Sequence, residues 1–112
     1  MEKLTDQQVR TELVRRLPEW SIDDGALSRI FETGNWQRTL LLANAIGFAA
    51  EAAGHHPDLG LSYPRLTVRL STHDAGGITE RDFALAERIE TLATWQPTHG
   101  DALTGSPDGW FS

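Results

Sequence analysis

Residues 51–82 read EAAGHHPDLGLSYPRLTVRLSTHDAGGITERD, and the punctuation of this stretch decides the fold. Pro57 disfavours the helical region for His56 and pushes it into an extended conformation. A helix arriving from the N-terminal side is therefore expected to stop at about Gly54, leaving the imidazoles of His55 and His56 just past its end. Leu59, Leu61 and Tyr63 alternate, as do Leu66, Val68 and Leu70, with Thr67, Arg69 and Ser71 between them. These are two expected strands with one buried and one polar face. The connection Tyr63-Pro64-Arg65 is too short for anything but an antiparallel hairpin. His73 is expected to end the second strand, and Asp74-Ala75-Gly76-Gly77 to form a loop. Thr79-Glu80-Arg81-Asp82 then opens a helix with the form of a capping box, Asp replacing the preferred Glu or Gln. Three of the chain's four histidines lie in this stretch. The ends of three elements thus deliver His55, His56, His73 and Asp82 toward one another.

On the N-terminal side, Thr5-Asp6-Gln7-Gln8 is a second capping box. Val9, Leu13 and Leu17 follow at helical spacing, and Pro18 ends that helix. Trp20 to Ile22 and Ala26 to Phe31 read as short strands around the turn Asp23-Asp24-Gly25, with imperfect alternation in the second. Gly34-Asn35 punctuates before a long helix from about Trp36 to Ala53. That helix is apolar nearly all round, with Gln37, Asn44 and Glu51 as a narrow polar line. A surface helix needs only one apolar stripe, so this one is expected to be buried by its own sheet on one side and by a partner subunit on the other. C-terminal to the central stretch, Leu85, Ala86, Ile89, Leu92 and Ala93 are the expected buried face of the last helix. From Trp95 to Ser112 periodicity is lost. Residues 1–94 are read as one domain and 95–112 as an extended tail, with Trp95, Trp110 and Phe111 as candidate anchors. The order helix, hairpin, helix, hairpin, helix makes the sheet mainly antiparallel with the helices on one face, an α+β domain.

Composition narrows the function. The net charge of −6 argues against a nucleic-acid surface, which needs clustered Lys and Arg. No apolar run is long enough to span a bilayer. The opening Met-Glu-Lys-Leu-Thr-Asp lacks a signal-peptide pattern, so a cytoplasmic location is expected. There is no cysteine, hence no disulfide framework, thiol nucleophile or thiolate metal site.

Three uses of the histidines compete. His and Asp are good zinc ligands, but adjacent side chains in an extended segment point apart and the helical His-x-x-x-His spacing is absent. No metal is expected. A His-His pair can cap a helix C-terminus, where imidazolium suits the dipole, which leaves His73 unexplained. General acid–base catalysis suits all three, because imidazole gives and takes protons near neutral pH. Asp82 can cap backbone amides, orient a histidine or hold a substrate. Glu51 is either a solvated helix carboxylate or part of a pocket wall, Tyr63 a core or wall aromatic. His99 has no partner by spacing.

The pattern Glu51, three residues, His55-His56-Pro57, five residues, Tyr63, nine residues, His73, eight residues, Asp82 resembles the signature of the pterin-4a-carbinolamine dehydratases. Leu-Ser-Thr-His at 70–73, Gly-Ile-Thr-Glu-Arg-Asp at 77–82, Leu-Ala-Glu-Arg-Ile-Glu at 85–90 and Leu17-Pro18-Glu19-Trp20 extend the likeness. The resemblance implies a four-stranded antiparallel sheet with three helices on one face, in a homodimer or homotetramer that dehydrates 4a-hydroxytetrahydropterin to quinonoid dihydropterin, in pterin recycling. Pterin is then the substrate, and no metal or redox cofactor is implied. His55 and His73 would be proton donors and acceptors, with His56 beside them in the catalytic set and orienting the pterin. Asp82 would bind and orient the pterin, and Glu51, Pro57, Ser71 and Thr72 would complete the substrate-binding set. The resemblance also carries a rival from another class: a binding protein of the same fold, stabilising a transcription factor's dimer or assisting assembly of an enzyme such as Rubisco.

Overall fold

The computed structural model describes residues 1–97, 100, 102 and 103. Helix α1 (Asp6–Arg16) opens with the expected reciprocal cap. The Thr5 hydroxyl accepts from the Gln8 amide at 3.1 Å, and the Gln8 side chain accepts from the Thr5 amide at 2.8 Å. Strands β1 (Ser21–Asp23) and β2 (Ala26–Glu32) follow. Their two-residue loop carries φ of 48° at Asp24 and 76° at Gly25, the positive pair that a type I′ hairpin turn requires. Helix α2 (Trp36–Ala53) is capped by the Asn35 side chain, which accepts from the Arg38 amide at 2.8 Å. Strands β3 (Asp58–Leu61) and β4 (Arg65–Leu70), a 3₁₀ turn (His73–Ala75) and helix α3 (Glu80–Thr94) complete the order. The four strands form one antiparallel sheet in the order β1-β2-β4-β3. Among the described residues no helix is long and apolar enough to cross a membrane.

One face of the sheet is dry. Leu66, Val68 and Leu70 of β4 stand opposite Phe31, Arg29 and Leu27 of β2. This face packs against Leu42, Ile46 and Ala50 of α2, Phe83, Ala86 and Ile89 of α3, and Val9, Leu13 and Leu17 around α1. The imperfect alternation of β2 now has a cause: Arg29 sits on the core face. A buried cation needs a partner, and α3 supplies Glu90. Its Oε1 accepts from Arg29 Nε at 2.6 Å and from the Trp20 indole at 2.8 Å, and the guanidinium lies 4.2 Å over the Phe31 ring.

Four expectations shift. Strand β1 begins at Ser21 rather than Trp20, because Trp20 is drawn into the core to reach Glu90. Tyr63 lies outside β3 and is 68% exposed, so it is not a core aromatic. Pro64 has no amide to offer a ladder, so the strands close at Leu61↔Leu66, with Ser62 and Arg65 bonded to each other across the turn. Leu92 is half exposed at the margin of the α3 inner face, while Ala93 is buried. His73 opens the 3₁₀ turn instead of ending a strand, since β4 stops at Leu70 and only Thr72 bridges onward, to Gly77. Trp95 is exposed, and the expectations for His99, Trp110 and Phe111 lie outside the described residues.

Helix α1 is tied to α3 by Arg16. Its guanidinium donates to both oxygens of Glu80 at 2.7 and 2.8 Å, donates to Glu87, and lies 5.1 Å from the Phe83 ring centroid. These hydrogen bonds hold the Glu80 carboxyl below its ordinary value and raise the guanidinium above its own. A carboxyl with a depressed folded-state pKa adds stability that is full above its unfolded value, here 4.5. That stability is lost as pH falls through the folded one. Arg16→Met is expected to cost on the order of 1 kcal/mol near neutral pH. The cost should shrink in strong acid, below the folded pKa of Glu80, and urea denaturation at both pH values checks it.

Candidate active site

Helix α2 ends where the histidines begin. Gly54 takes the left-handed conformation, with φ 65° and ψ 30°, and its amide returns to the carbonyls of Ala50 and Glu51. The His55 amide also returns to Ala50, at 3.1 Å, so the last turn closes in the manner of a Schellman cap. The chain then leaves the helix extended, and the two neighbouring rings go to different partners. His55 is buried, and its Nε2 lies 2.5 Å from Asp82 Oδ1. His56 is exposed, and its Nε2 lies 2.9 Å from Glu51 Oε1.

Asp82 is wholly buried in the first turn of α3. Its Oδ2 accepts from the Thr79 amide at 2.9 Å, which completes the capping box, and from the Thr72 hydroxyl at 2.8 Å. Its Oδ1 is left for His55. A carboxylate only accepts, so the Nε2 of His55 carries the shared proton, and Nδ1 is the one polar ring atom left for a ligand. The Thr72 hydroxyl in turn lies 2.8 Å from that of Thr79.

A cleft of about 210 Å³ opens over this assembly, lined by Gly54, His55, His56, Ser71, Thr72, His73, Asp74 and Arg81. Five expected site residues therefore share one cavity: His55, His56, His73, Ser71 and Thr72. The other three do not line it. Pro57 flanks it in the chain, Glu51 backs His56, and Asp82 lies beneath His55 with both oxygens engaged. Asp82 is buried and its oxygens already hold three donors, so it is not itself part of the cleft lining. Arg81 was missed. Its Nη2 donates to the Gly54 carbonyl at 3.0 Å, placing a guanidinium between the end of α2 and the cleft. Its position beside Asp82, in the first turn of a helix starting at the site, was the available signal. Among the described residues no three His, Asp or Glu side chains converge as a metal-binding group. An apolar groove of about 620 Å³ between α2 and α3, including Phe48, Ala49 and Leu92, adjoins the cleft and shares His55 and Arg81 with it.

The sequence model of the family described as pterin 4 alpha carbinolamine dehydratase matches residues 2–92. The chain belongs to this family. Two relatives carry the name "Putative pterin-4-alpha-carbinolamine dehydratase". The one from Chloroflexus aurantiacus is 40% identical over 92 residues, covering 82% of this chain and 98% of that protein. The one from Aquifex aeolicus is 44% identical over 90 residues, covering 80% and 90%. Among solved structures, a transcriptional coactivator/pterin dehydratase from Brucella melitensis superposes with a TM-score of 0.75 at 29% identity, over 82% of this chain and 99% of that one. A pterin dehydratase-like protein described as a RuBisCO assembly factor in the alpha-carboxysome shares the fold, with a TM-score of 0.56 at 22% identity over 69% and 89%.

Asp82 carries both a helix cap and a histidine. Asp82→Ala would leave the Thr79 amide, the Thr72 hydroxyl and the His55 ring without their acceptor in the interior. A loss of about 3 kcal/mol is expected, larger than an ordinary cap deletion of about 1 kcal/mol. Chemical denaturation of Asp82→Ala beside the Thr5→Ala cap variant on α1 measures the difference.

Proposed function

We propose that this protein dehydrates 4a-hydroxytetrahydropterin to quinonoid dihydropterin and water, by histidine general acid–base catalysis. The observation that carries the reading is the convergence of His55, His56 and His73 on one cleft, with His55 backed by buried Asp82, in a chain of this family. In this reaction the bond from C4a to the hydroxyl oxygen breaks. The oxygen takes up a proton and leaves as water, and a nitrogen-bound proton is lost as the new double bond forms. One group must give a proton while another takes one, and imidazole does both near neutral pH. His55 and His73 are assigned these transfers. His55 can offer its free Nδ1 while Asp82 compensates the charge of the protonated ring. His56, held by Glu51, orients the pterin, with Ser71 and Arg81 at the cleft wall. The chemistry asks for no metal or redox cofactor.

A dehydratase assay on synthetic 4a-hydroxytetrahydropterin, with chelator-treated protein and the uncatalysed rate subtracted, tests this reading. His73→Ala should lower kcat by roughly 10²-fold with a smaller change in KM. His56→Ala should raise KM more than it lowers kcat. A folded His55→Ala/His73→Ala variant with wild-type turnover would reject histidine catalysis. It would also favour a binding role like that in the name of the Brucella relative.

The same reading includes self-association. Helix α2 buries Thr39, Leu42, Ile46 and Ala50, yet Leu41 and Phe48 on its other side are 50% and 80% exposed, and Trp36 in its first turn is 46% exposed. Large apolar side chains left to water are unfavourable by about 25 cal/mol per Å², and a second copy of this chain presents the same Leu41 and Phe48 for mutual burial. Light scattering at micromolar concentration should show a dimer or tetramer, and Phe48→Glu should shift it toward monomer.

A further inference from the structure

We infer that Thr72 and Thr79 are positioning residues: their hydroxyls form a one-way chain of donors into Asp82 that sets which nitrogen of His55 meets a ligand. The inference deepens the dehydratase reading and, for its kinetic arm, rests on it.

The direction of the chain follows from counting protons. The Thr72 hydroxyl has one proton, and it lies 2.8 Å from Asp82 Oδ2, an atom that accepts. The contact of 2.8 Å between the Thr72 and Thr79 hydroxyls must then be made by the Thr79 proton, with Thr72 accepting. Thr79 Oγ1 in turn accepts from the Arg81 amide at 3.2 Å. The order runs from the Arg81 amide to Thr79, to Thr72, to Asp82. Each donor polarises the next. Thr72, Thr79 and Asp82 are all buried, Thr72 at the floor of the cleft. On the other side of the carboxylate, Oδ1 takes the Nε2 proton of His55. With Oδ2 held by two donors, the carboxyl cannot turn about its own bond without breaking them. The neutral ring of His55 is thereby held as the Nε2–H tautomer, its Nδ1 lone pair available to take a proton. The other ionisable groups on the same cleft, His56, His73, Asp74 and Arg81, make no hydrogen bond to this ring among the described residues.

The molecule contains a control. Thr33 and Thr39 form another buried hydroxyl pair, 2.5 Å apart, at the opposite end of α2 and, among the described residues, hydrogen-bonded to no histidine. Thr72→Val and Thr33→Val each delete one hydroxyl from a buried threonine pair, so a loss of mere packing or hydrogen bonding should affect both alike.

The experiment is ¹⁵N NMR of the imidazoles with steady-state kinetics on the full chain. Wild-type His55, in its neutral form, should show a protonated Nε2 and an unprotonated Nδ1. Thr72→Val should mix the tautomers and lower kcat about tenfold with little change in KM, as expected for a group acting on proton transfer. Thr72→Ser should recover the single tautomer and most of the turnover, and Thr33→Val should alter neither. A wild-type His55 protonated on Nδ1 overturns the inference without any variant, and so decides it even if Thr72→Val fails to fold. A folded Thr72→Val with the wild-type tautomer and kcat also overturns it. If the tautomer responds as expected but the wild-type protein shows no dehydratase activity, the positioning chain stands and the dehydratase reading falls.

Discussion

A carboxylate buried at the first turn of α3 constrains everything around it. Taking the charge of Asp82 out of water is favourable only if its acceptor sites are filled. They are filled by three different parts of the chain: the Thr79 amide at the helix start, the Thr72 hydroxyl just beyond β4, and the His55 ring just beyond α2. None of these can shift alone without leaving a buried charge or donor unpaired. The requirement therefore fixes the end of α2 against the beginning of α3, and pins the segment between β4 and α3 to both. The cleft exists where it does because these three chain segments meet at one residue.

The two adjacent histidines divide along the same line. Successive side chains of an extended segment point to opposite sides, so one ring goes inward and its neighbour outward. Each finds a carboxylate, but the surroundings differ. His55 and Asp82 are shielded from water, where hydrogen bonds are strong and geometry is held. His56 and Glu51 are exposed, with side-chain exposures of 65% and 82%, and water competes for both. An inner imidazole held by a buried carboxylate and an outer one open to water suit the proton transfer and the orientation proposed for them.

Helix α3 is also the element onto which the other layers dock. Glu80 and Glu87 take Arg16 from α1, and Glu90 takes Arg29 from the sheet and the Trp20 indole before β1. Aromatic rings lie under both guanidiniums, Phe83 for Arg16 and Phe31 for Arg29, so each cation is satisfied on its edge by carboxylate and on its face by π-density. Acidic residues on one helix thus secure the orientation of the element whose first turn carries Asp82.

Periodicity, caps and turn residues act over a few positions, and for that reason the sequence by itself determined the elements. The Thr5 and Thr79 capping boxes, the Asp24-Gly25 turn and the span of α2 from Trp36 to Ala53 were all legible. So was the gathering of His55, His56 and His73, because each sits at an element end that local rules locate. What an Arg on a core face or an Asp at a helix start would be doing depended in part on partners far along the chain. The separation is 61 from Arg29 to Glu90, and 27 both from His55 to Asp82 and from Gly54 to Arg81. Only the tertiary structure decided that Asp82 is buried and that Arg81 borders the cleft. Burial and pairing are properties of the packed chain, and no local pattern records which side of a residue water can reach.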